Sequence, residues 1–185
     1  IALLIASEEI TSSLFGYGSF DITSVKNSAN ALFYFALGLP AFSMIKIFSS
    51  FLFARHNTKI PFYFSISSVI INIIISLYFF NKIGFIIIPI ATTISSWLNA
   101  FLLLIYLTNN KYYLLNLNFI KSFFKIVLST VITSYVFYYL VNKFSENLSY
   151  YSEYKLITIV FLVIITFIVY IFISLLTKAF KTSDI

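Results

Sequence analysis

The sequence predicts an all-α protein, a bundle of about six transmembrane helices. Of its 185 residues, 61% are hydrophobic and only 10% are charged, and the mean hydropathy is +0.99. A soluble domain usually has about 25% charged residues. Apolar runs of about 20 residues recur along the chain, and each is long enough to cross a ~30 Å hydrocarbon core as a helix. These runs lack the alternating pattern of transmembrane β-strands.

The chain begins within an apolar run. Residues 1–15 are predicted to be the end of a first, truncated helix, which Glu8 and Glu9 interrupt. There is no initiator methionine, no charged leader and no small-residue cleavage site. We therefore expect a fragment whose N-terminal part is missing, rather than a signal peptide. The sequence GYGS at 16–19 predicts a turn after this helix.

The second helix, predicted over residues 28–53, contains a lysine. Polar residues at 21–26 offer caps for its start, and Pro40 is expected to kink it. Lys46 lies in an otherwise apolar segment, about 13 Å of helix before the basic turn at Arg55. A charge at the centre of a membrane costs roughly 2.5–3.5 kcal/mol. Lys46 is therefore either a functional cation that faces a cavity, or a side chain that snorkels to the interface or has a structural partner.

Four further apolar runs predict four more helices. Their predicted spans are 61–80, 85–107, 119–141 and 155–177. Pro61 suits the start of the third helix, because its missing N–H would have no helical partner there. The last two helices have no ionisable residue at mid-span and many large apolar side chains. They are expected either to face lipid or to be simply peripheral.

The basic residues between these runs predict an orientation. If successive helices cross the membrane in alternate directions, one side receives most of the positive charge, and the positive-inside rule makes that side the cytoplasm. That side holds Arg55, Lys59, Lys111, Lys121, Lys125, Lys178 and Lys181. The other side holds Lys26, Lys82, Lys143 and Lys155, with Asp21, Glu146 and Glu153. The C-terminus is thus predicted to be cytoplasmic, and topology explains the net charge of +6 without nucleic acid.

Polar side chains form two stripes on the third and fourth helices. Spacings of three and four residues place each stripe on one helix face. The first stripe is Ser65, Ser68, Asn72 and Ser76, and the second is Thr92, Ser96 and Asn99. Because a short turn joins the two helices, we expect the stripes to meet as helix–helix contacts or to line a shared substrate or ion pathway.

Enzyme chemistry is not indicated by the sequence. It contains no P-loop, nucleophile-elbow or HExxH motif, and Glu8 and Glu9 would point about 100° apart on a helix. There is no cysteine, and His56 is the single histidine, which excludes disulfides and histidine-cluster metal sites. We expect no enzyme activity and no cofactor. Arg55, His56 and Lys59 form either a topology anchor or a ligand-binding turn.

Four blocks of the sequence are more specific than its composition. They are Leu14-Phe15-x-x-Gly18-x-Phe20; Ala36-Leu37-Gly38-Leu39-Pro40-Ala41-Phe42, followed by Lys46; Ala54-Arg55-x-x-Thr58-Lys59-x-Pro61; and Ala91-Thr92-Thr93-Ile94-x-x-Trp97-Leu98-Asn99-Ala100. In order and spacing they resemble the MurJ/MviN family of lipid II flippases, in the MOP exporter superfamily. The resemblance covers nearly all of the chain, most weakly beyond Lys111. The chain departs from the family at Ser50, where proline is common, at His56-Asn57, where Gly-Asp is common, and at Ile87, where glycine is common.

The resemblance implies a fourteen-helix inner-membrane protein that moves lipid II, the undecaprenyl-linked peptidoglycan precursor, across the membrane by alternating access. This chain would supply the last six helices, the first of them truncated. Residues 1–110 would be part of the C-terminal lobe. Residues 111–185 would form the final helix pair, with a possible groove for the lipid tail, and a cytoplasmic tail. The partners would be lipid II, membrane lipids and the missing N-terminal lobe of the same protein.

Site residues follow from the stripes, the lysine and the resemblance together. Lys46 and Arg55 are the candidate substrate-binding residues, and Lys46 would be the cavity cation that attracts the diphosphate. The candidates for an ion or polar pathway are Asn72, Ser76, Thr92 and Asn99. Two alternatives stay open: a flippase for another polyprenyl-linked oligosaccharide or another MOP exporter, and a non-transporting membrane scaffold of cell-wall assembly. In the scaffold, Lys46 and both stripes would be buried against neighbouring helices.

Overall fold

The computed structural model describes residues 1–112, 117–177 and 179, with the backbone alone at 117–119. The elements it describes are helical, which confirms the predicted fold class. The helices are α1 (Ala2–Ile5), α2 (Ser7–Phe15), α3 (Ile22–Ala54), α4 (Lys59–Ile83), α5 (Ile87–Asn109), α6 (Leu117–Lys143) and α7 (Lys155–Leu176), and a 3₁₀ turn, Gly84–Ile86, joins α4 to α5. Lys178 and Lys181, which entered the orientation count, lie outside the described residues.

Four stretches of the described chain are long and apolar enough to cross a membrane. They are Ile22–Ala54, Lys59–Asn109, Ile120–Lys143 and Lys155–Leu176. The second stretch contains both α4 and α5, which fold back on each other and so offer two passes. The chain is therefore a multi-pass helical membrane bundle.

The first predicted helix is divided in two by the structure. The break lies at Ala6, where the backbone leaves the helical region at φ −127° and ψ 39°. Glu8 and Glu9 occupy the first turn of α2 instead, where carboxylates interact favourably with the helix dipole. The predicted interruption is thus present, but the prediction that the two glutamates cause it is wrong.

Helix α3 begins earlier than predicted because Asp21 caps it. The Asp21 Oδ1 atom accepts a hydrogen bond from the backbone N–H of Ser24 at 2.8 Å, which satisfies one of the free donors of the first turn. Hydrogen bonds from Ser24 also hold the pKa of Asp21 below its ordinary value. The helix continues through Pro40, which has no N–H to offer the carbonyl of Ala36.

The chain divides into two compact units. Unit 1 comprises Ile1–Ala29 and Leu115–Ile185, and unit 2 comprises Asn30–Leu114. The described core of unit 1 is formed by Ala6, Phe137, Val141, Leu148, Ile159 and Leu162. The core of unit 2 is formed by Leu52, Leu103 and Leu107, with Ile45, Phe48, Ile60, Phe64 and Tyr106 packed against it. The predicted functional division at residue 110 concerns lobes of a larger protein and stays a prediction.

Within unit 2, α4 and α5 form an antiparallel hairpin. Hydrogen bonds connect Asn57 with Tyr106, Asn99 with Ser65, Ser68 with Ser95, and Asn72 with Thr92. The sequence separation between partners falls steadily from 49 to 34, 27 and 20, as an antiparallel pair requires. The turn contains Gly84 at φ 75° and ψ −156°, a conformation that is essentially restricted to glycine.

Candidate functional site

Lys46 lies on the outward face of α3. The inward face consists of Ala41, Ile45, Phe48 and Leu52, which are buried or half-buried and belong to unit 2. Lys46 is exposed, as are Ser43 and Ser50, which lie three residues before it and four after it. Within the described part of the chain, its ammonium group has no hydrogen-bond or ion-pair partner. The ammonium group of Lys46 is therefore available to a ligand or to a protein segment outside unit 2.

Arg55, the second predicted substrate ligand, is held between two aromatic rings. Its guanidinium carbon lies 4.8 Å from the centroid of the Phe51 ring and 4.4 Å from that of Tyr112. Such cation–π contacts stabilise an exposed arginine by about 0.5–1 kcal/mol. The side chain stays exposed, so its N–H groups remain accessible. Its substrate role is not tested by this arrangement and stays a prediction.

The turn after α3 is a strained helix end. His56 adopts a left-handed conformation, with φ 58°, and the next backbone N–H, that of Asn57, donates to the Leu52 carbonyl at 2.9 Å. Glycine is the usual residue at this position of a helix end. The predicted departure from the family pattern at His56 therefore falls where a side chain adds backbone strain.

The two predicted polar stripes meet each other inside the α4–α5 hairpin. Asn72 is central: its Nδ2 donates to Thr92 Oγ1 at 3.0 Å and to Ser95 Oγ at 3.4 Å, while its Oδ1 accepts from Ser76 Oγ at 3.4 Å. Ser68 Oγ donates to the Ser95 carbonyl at 2.7 Å. These contacts bring three of the predicted pathway residues into one hydrogen-bonded seam between helices.

Asn99, the fourth predicted pathway residue, lies farther along the same interface. Its Nδ2 donates to Ser65 Oγ at 3.5 Å. Its Oδ1 is buried and has no hydrogen-bond partner among the described residues. A buried amide oxygen of this kind is an acceptor that a water molecule or a cation can use.

Helix α5 also reaches α3, next to its proline. Trp97 Nε1 donates to the carbonyl of Leu37 at 3.0 Å, and Thr93 Oγ1 donates to the carbonyl of Tyr34 at 2.7 Å. A Cβ atom added to Gly38 would lie 3.0 Å from Thr93 Oγ1, so glycine permits this approach. Side chains of α5 thus donate hydrogen bonds to two backbone carbonyls of α3 in the turns before Pro40.

Lys155, which the sequence analysis used only in the charge count, is a buried structural cation in unit 1. It is 2% exposed. Its Nζ donates to the carbonyls of Gly16 at 2.6 Å and Tyr150 at 2.8 Å, and lies 4.2 Å from the Tyr17 ring centroid. Gly16 is 139 residues away in sequence, so no local pattern could have revealed the contact.

An apolar bundle with several membrane passes, an exposed cation on one spanning helix and a polar seam inside a hairpin define a multi-pass helical membrane protein. A family model described as "Lipid II flippase MurJ" matches residues 1–159. The chain belongs to this family, and the predicted resemblance is confirmed. It is thus a multi-pass bacterial membrane protein.

Two curated relatives show the extent of the similarity. The chain is 35% identical over 159 residues to a probable lipid II flippase MurJ of Rickettsia prowazekii. The aligned region covers 85% of the chain and 31% of that relative. It is 31% identical over 185 residues to a probable lipid II flippase MurJ of Thermotoga maritima. There the aligned region covers 100% of the chain and 36% of the relative. The chain therefore spans about a third of the length of these relatives.

Proposed function

We propose that this chain is part of a flippase that moves lipid II, a lipid-linked peptidoglycan precursor, across the bacterial inner membrane by alternating access. Family membership and the names of the relatives support the substrate and the activity. Transport needs no covalent chemistry by the protein, so no enzyme activity is proposed. The chain covers about a third of its relatives, and we propose that an N-terminal lobe of the same protein completes the transport path.

The observation that carries the proposal is the position of Lys46. An unpaired ammonium group on a membrane-spanning helix is costly where it faces lipid, yet Lys46 is exposed on α3, away from the unit 2 core. A water-filled cavity shared with the opposite lobe removes that cost, and the ammonium group then attracts the diphosphate of the precursor. Rocking of the lobes around this site would expose it to each side in turn.

A growth assay tests the role of Lys46. Variants are introduced into the gene that encodes this chain, in cells from which the native flippase is depleted. Lys46→Ala and Lys46→Glu are expected to abolish or severely reduce growth, because they remove or reverse the charge. Lys46→Arg keeps the charge and is expected to retain part of the growth. The matched control is Lys26→Ala, an exposed lysine in the first turns of the same helix, which should grow normally. Normal growth of both Lys46→Ala and Lys46→Glu, at equal protein levels, would refute the proposal.

We propose that the main role of the polar seam is to hold α4 and α5 together, and that a role as a pathway is secondary. Asn72, Ser76 and Thr92 satisfy one another, as interface residues do in membrane bundles. Only Asn99 keeps a free buried acceptor in the part of the hairpin that the structure describes. If a coupling ion passes through this hairpin, the Asn99 end is the proposed place for it.

Helices α6 and α7 are proposed to contact acyl chains. Many of their large apolar side chains are exposed, among them Phe124, Tyr135, Ile157, Phe167 and Phe172. Two of their polar groups bond inward or to their own helix: Ser129 Oγ lies 2.9 Å from Thr177 Oγ1, and Thr166 Oγ1 donates to the Leu162 carbonyl. This distribution supports membrane lipids, and the lipid tail of the precursor, as partners of the final helix pair.

A further inference from the structure

One end of unit 2 carries a group of cations that no carboxylate of the unit neutralises. Unit 2 contains no aspartate or glutamate. Three of its cations, Arg55, Lys59 and Lys111, are exposed in or next to the turns that follow α3 and α5. The Nδ2 atom of Asn57 donates to the Tyr106 hydroxyl at 3.2 Å, which joins the turn after α3 to the last turn of α5. The two helix ends therefore lie together, and we call this region the basic end.

Tyr112 is brought to Arg55 by the way in which α5 ends. Lys111 adopts a left-handed conformation with φ 56°, and the Tyr112 N–H donates to the Leu107 carbonyl at 2.9 Å, as is common at helix ends. The Tyr112 ring lies 6.1 Å from the Phe51 ring, centroid to centroid, and both rings contact the Arg55 guanidinium. The position of this cation is thus fixed by α3 and by the end of α5, while its N–H groups stay accessible.

An apolar cavity of about 140 Å³ adjoins this cation. Its described walls are the side chains of Ile47, Phe48, Phe51, Leu107 and Tyr112. The cavity therefore shares two rings with the Arg55 contacts. Ile47 lies eight residues before Arg55, about 12 Å of helix, so the cavity extends from the basic end toward the membrane-spanning part of α3. Its volume is below the ~300–1,000 Å³ of sites for whole small molecules and suits a segment of one acyl chain.

The positive-inside rule alone does not account for this arrangement. That rule depends on the number of lysines and arginines in a connection, and not on where their charged groups point. Here the arginine is held by two rings that also line an apolar cavity, and a guanidinium group binds phosphate through two parallel N–H bonds. A cation at the membrane interface beside an apolar cavity is complementary to an amphiphile with a phosphate head and an acyl chain.

Lys46 and Arg55 do not hold the same phosphate group. They are nine residues apart, and at about 100° per residue they lie about 180° apart around the α3 axis and about 13 Å apart along it. Lys46 is not among the described walls of the cavity. The ligand of Arg55 is therefore separate from the diphosphate that we assign to Lys46.

We infer that Arg55 binds the phosphate of an anionic membrane phospholipid, with a segment of its acyl chain in the apolar cavity. Lys59 and Lys111 add attraction for the negative headgroup. The orientation predicted from the charges places this lipid in the cytoplasmic leaflet. The inference requires a membrane protein but no transport, so it stands apart from the proposed function.

Native mass spectrometry in detergent tests the inference on the full-length protein that contains this chain. The protein is titrated with dioleoylphosphatidylglycerol, the dissociation constants of successive lipid adducts are measured, and one tight site that depends on Arg55 is expected. Dioleoylphosphatidylcholine, which has the same chains and no net charge, should bind this site at least about tenfold more weakly. Arg55→Ala should weaken the site by at least about tenfold, and Arg55→Lys by about two- to tenfold, because lysine keeps the charge but not the paired N–H bonds. Tyr112→Leu should weaken it about two- to fivefold, as the loss of one cation–π contact predicts.

The matched control is Lys82→Ala. Lys82 is another exposed cation of unit 2, and its ammonium group lies 5.5 Å from the Tyr78 ring centroid and 6.0 Å from that of Phe79. It lies in the last turn of α4 and is not among the described walls of the cavity. The variant therefore removes one ring-bound charge away from the site and should bind phosphatidylglycerol normally.

Equal binding of the two lipids by the wild type would overturn the inference, as would wild-type affinity in Arg55→Lys and Tyr112→Leu. These two variants decide if Arg55→Ala does not fold. An equal loss in Lys82→Ala would show a general effect of charge and refute the assigned site. Glycerol 3-phosphate, a phosphate ester without acyl chains, should not compete, because competition would indicate a site for free phosphate. Displacement of the Arg55-dependent lipid by undecaprenyl diphosphate would assign Arg55 to the transported precursor and refute the inference.

Discussion

At the scale of single residues, Lys155 shows how a charge can act as a structural clamp. Its ammonium group joins the turn after α2 to the start of α7 through the carbonyls of Gly16 and Tyr150. Gly16 has no room for a side chain, because a Cβ atom there would lie 2.6 Å from the Ser12 carbonyl. The clamp therefore depends on one glycine and one lysine that are far apart in sequence.

Lys155→Met should destabilise the protein by about 1–3 kcal/mol, because the buried carbonyl of Gly16 and the partly buried carbonyl of Tyr150 lose a charged hydrogen-bond donor. Methionine keeps most of the volume, so a packing defect contributes little. Thermal unfolding in detergent measures the effect, with Lys143→Met as the control at an exposed position. An unchanged or raised unfolding temperature for Lys155→Met would mean that desolvation of the ammonium group outweighs its hydrogen bonds.

Backbone strain at two positions predicts opposite effects of glycine. His56→Gly should stabilise the protein by about 1 kcal/mol, because φ 58° is unfavourable for a residue with a side chain. Gly84→Ala should destabilise it by about 1–3 kcal/mol. A Cβ atom at Gly84 would meet nothing within 4 Å, so this loss comes from conformation alone. Equal unfolding temperatures for wild type and both variants would show that these turns relax without cost.

Individual residues were predictable from the sequence only where a local pattern marked them. Lys46 stood out because an apolar run surrounds it, and the structure leaves it exposed. Lys155 gave no such signal, because its environment is created by segments that meet through the fold. Burial of a polar group depends on those long-range contacts, and a single sequence does not record them.

At the scale of elements, the α4–α5 hairpin was accessible from the sequence. Spacings of three and four residues placed the polar stripes on facing sides, and the short turn forced the two helices to pack. The structure confirms that the stripes meet. The break at Ala6 was not accessible, since no glycine or proline marks it, and Ala6 is buried in the core of unit 1.

A double-mutant cycle tests the central hydrogen bond of the hairpin. Asn72→Ala and Thr92→Val should show a coupling energy of about 0.6 kcal/mol, and not more than about 1.7 kcal/mol, as measured for polar contacts between membrane helices. Ser67→Ala paired with Thr92→Val is the control, because Ser67 Oγ bonds the Tyr63 carbonyl of its own helix and should show no coupling. Zero coupling between Asn72 and Thr92 would favour an open polar pathway over a helix–helix contact.

At the scale of the whole molecule, the charge distribution and the helix order together predict an orientation. Each of the helices α4 to α7 is long enough to cross the membrane once, so the connections between successive helices are predicted to lie on alternate sides. Arg55, Lys59, Lys111, Lys121 and Lys125 then share one side, with Lys82, Lys143 and Lys155 on the other. The greater positive charge of the first side predicts that it is cytoplasmic.

Three exposed asparagines allow this orientation to be measured by matched substitutions. The chain has no cysteine, so Asn81→Cys, Asn109→Cys and Asn147→Cys each introduce a single thiol near the end of a helix. In spheroplasts, a membrane-impermeant maleimide should label positions 81 and 147. Position 109 should react only after the cells are lysed.

The pattern of labelling separates two kinds of error. If position 109 reacts in spheroplasts and the other two do not, the helices cross as predicted but the charge bias does not set their direction. If positions 81 and 147 react from opposite sides, one of the passes α5 or α6 does not cross. The first result leaves the transport proposal intact, because rocking of two lobes does not depend on which side the C-terminus occupies. The second result contradicts the helix order on which the proposed bundle depends.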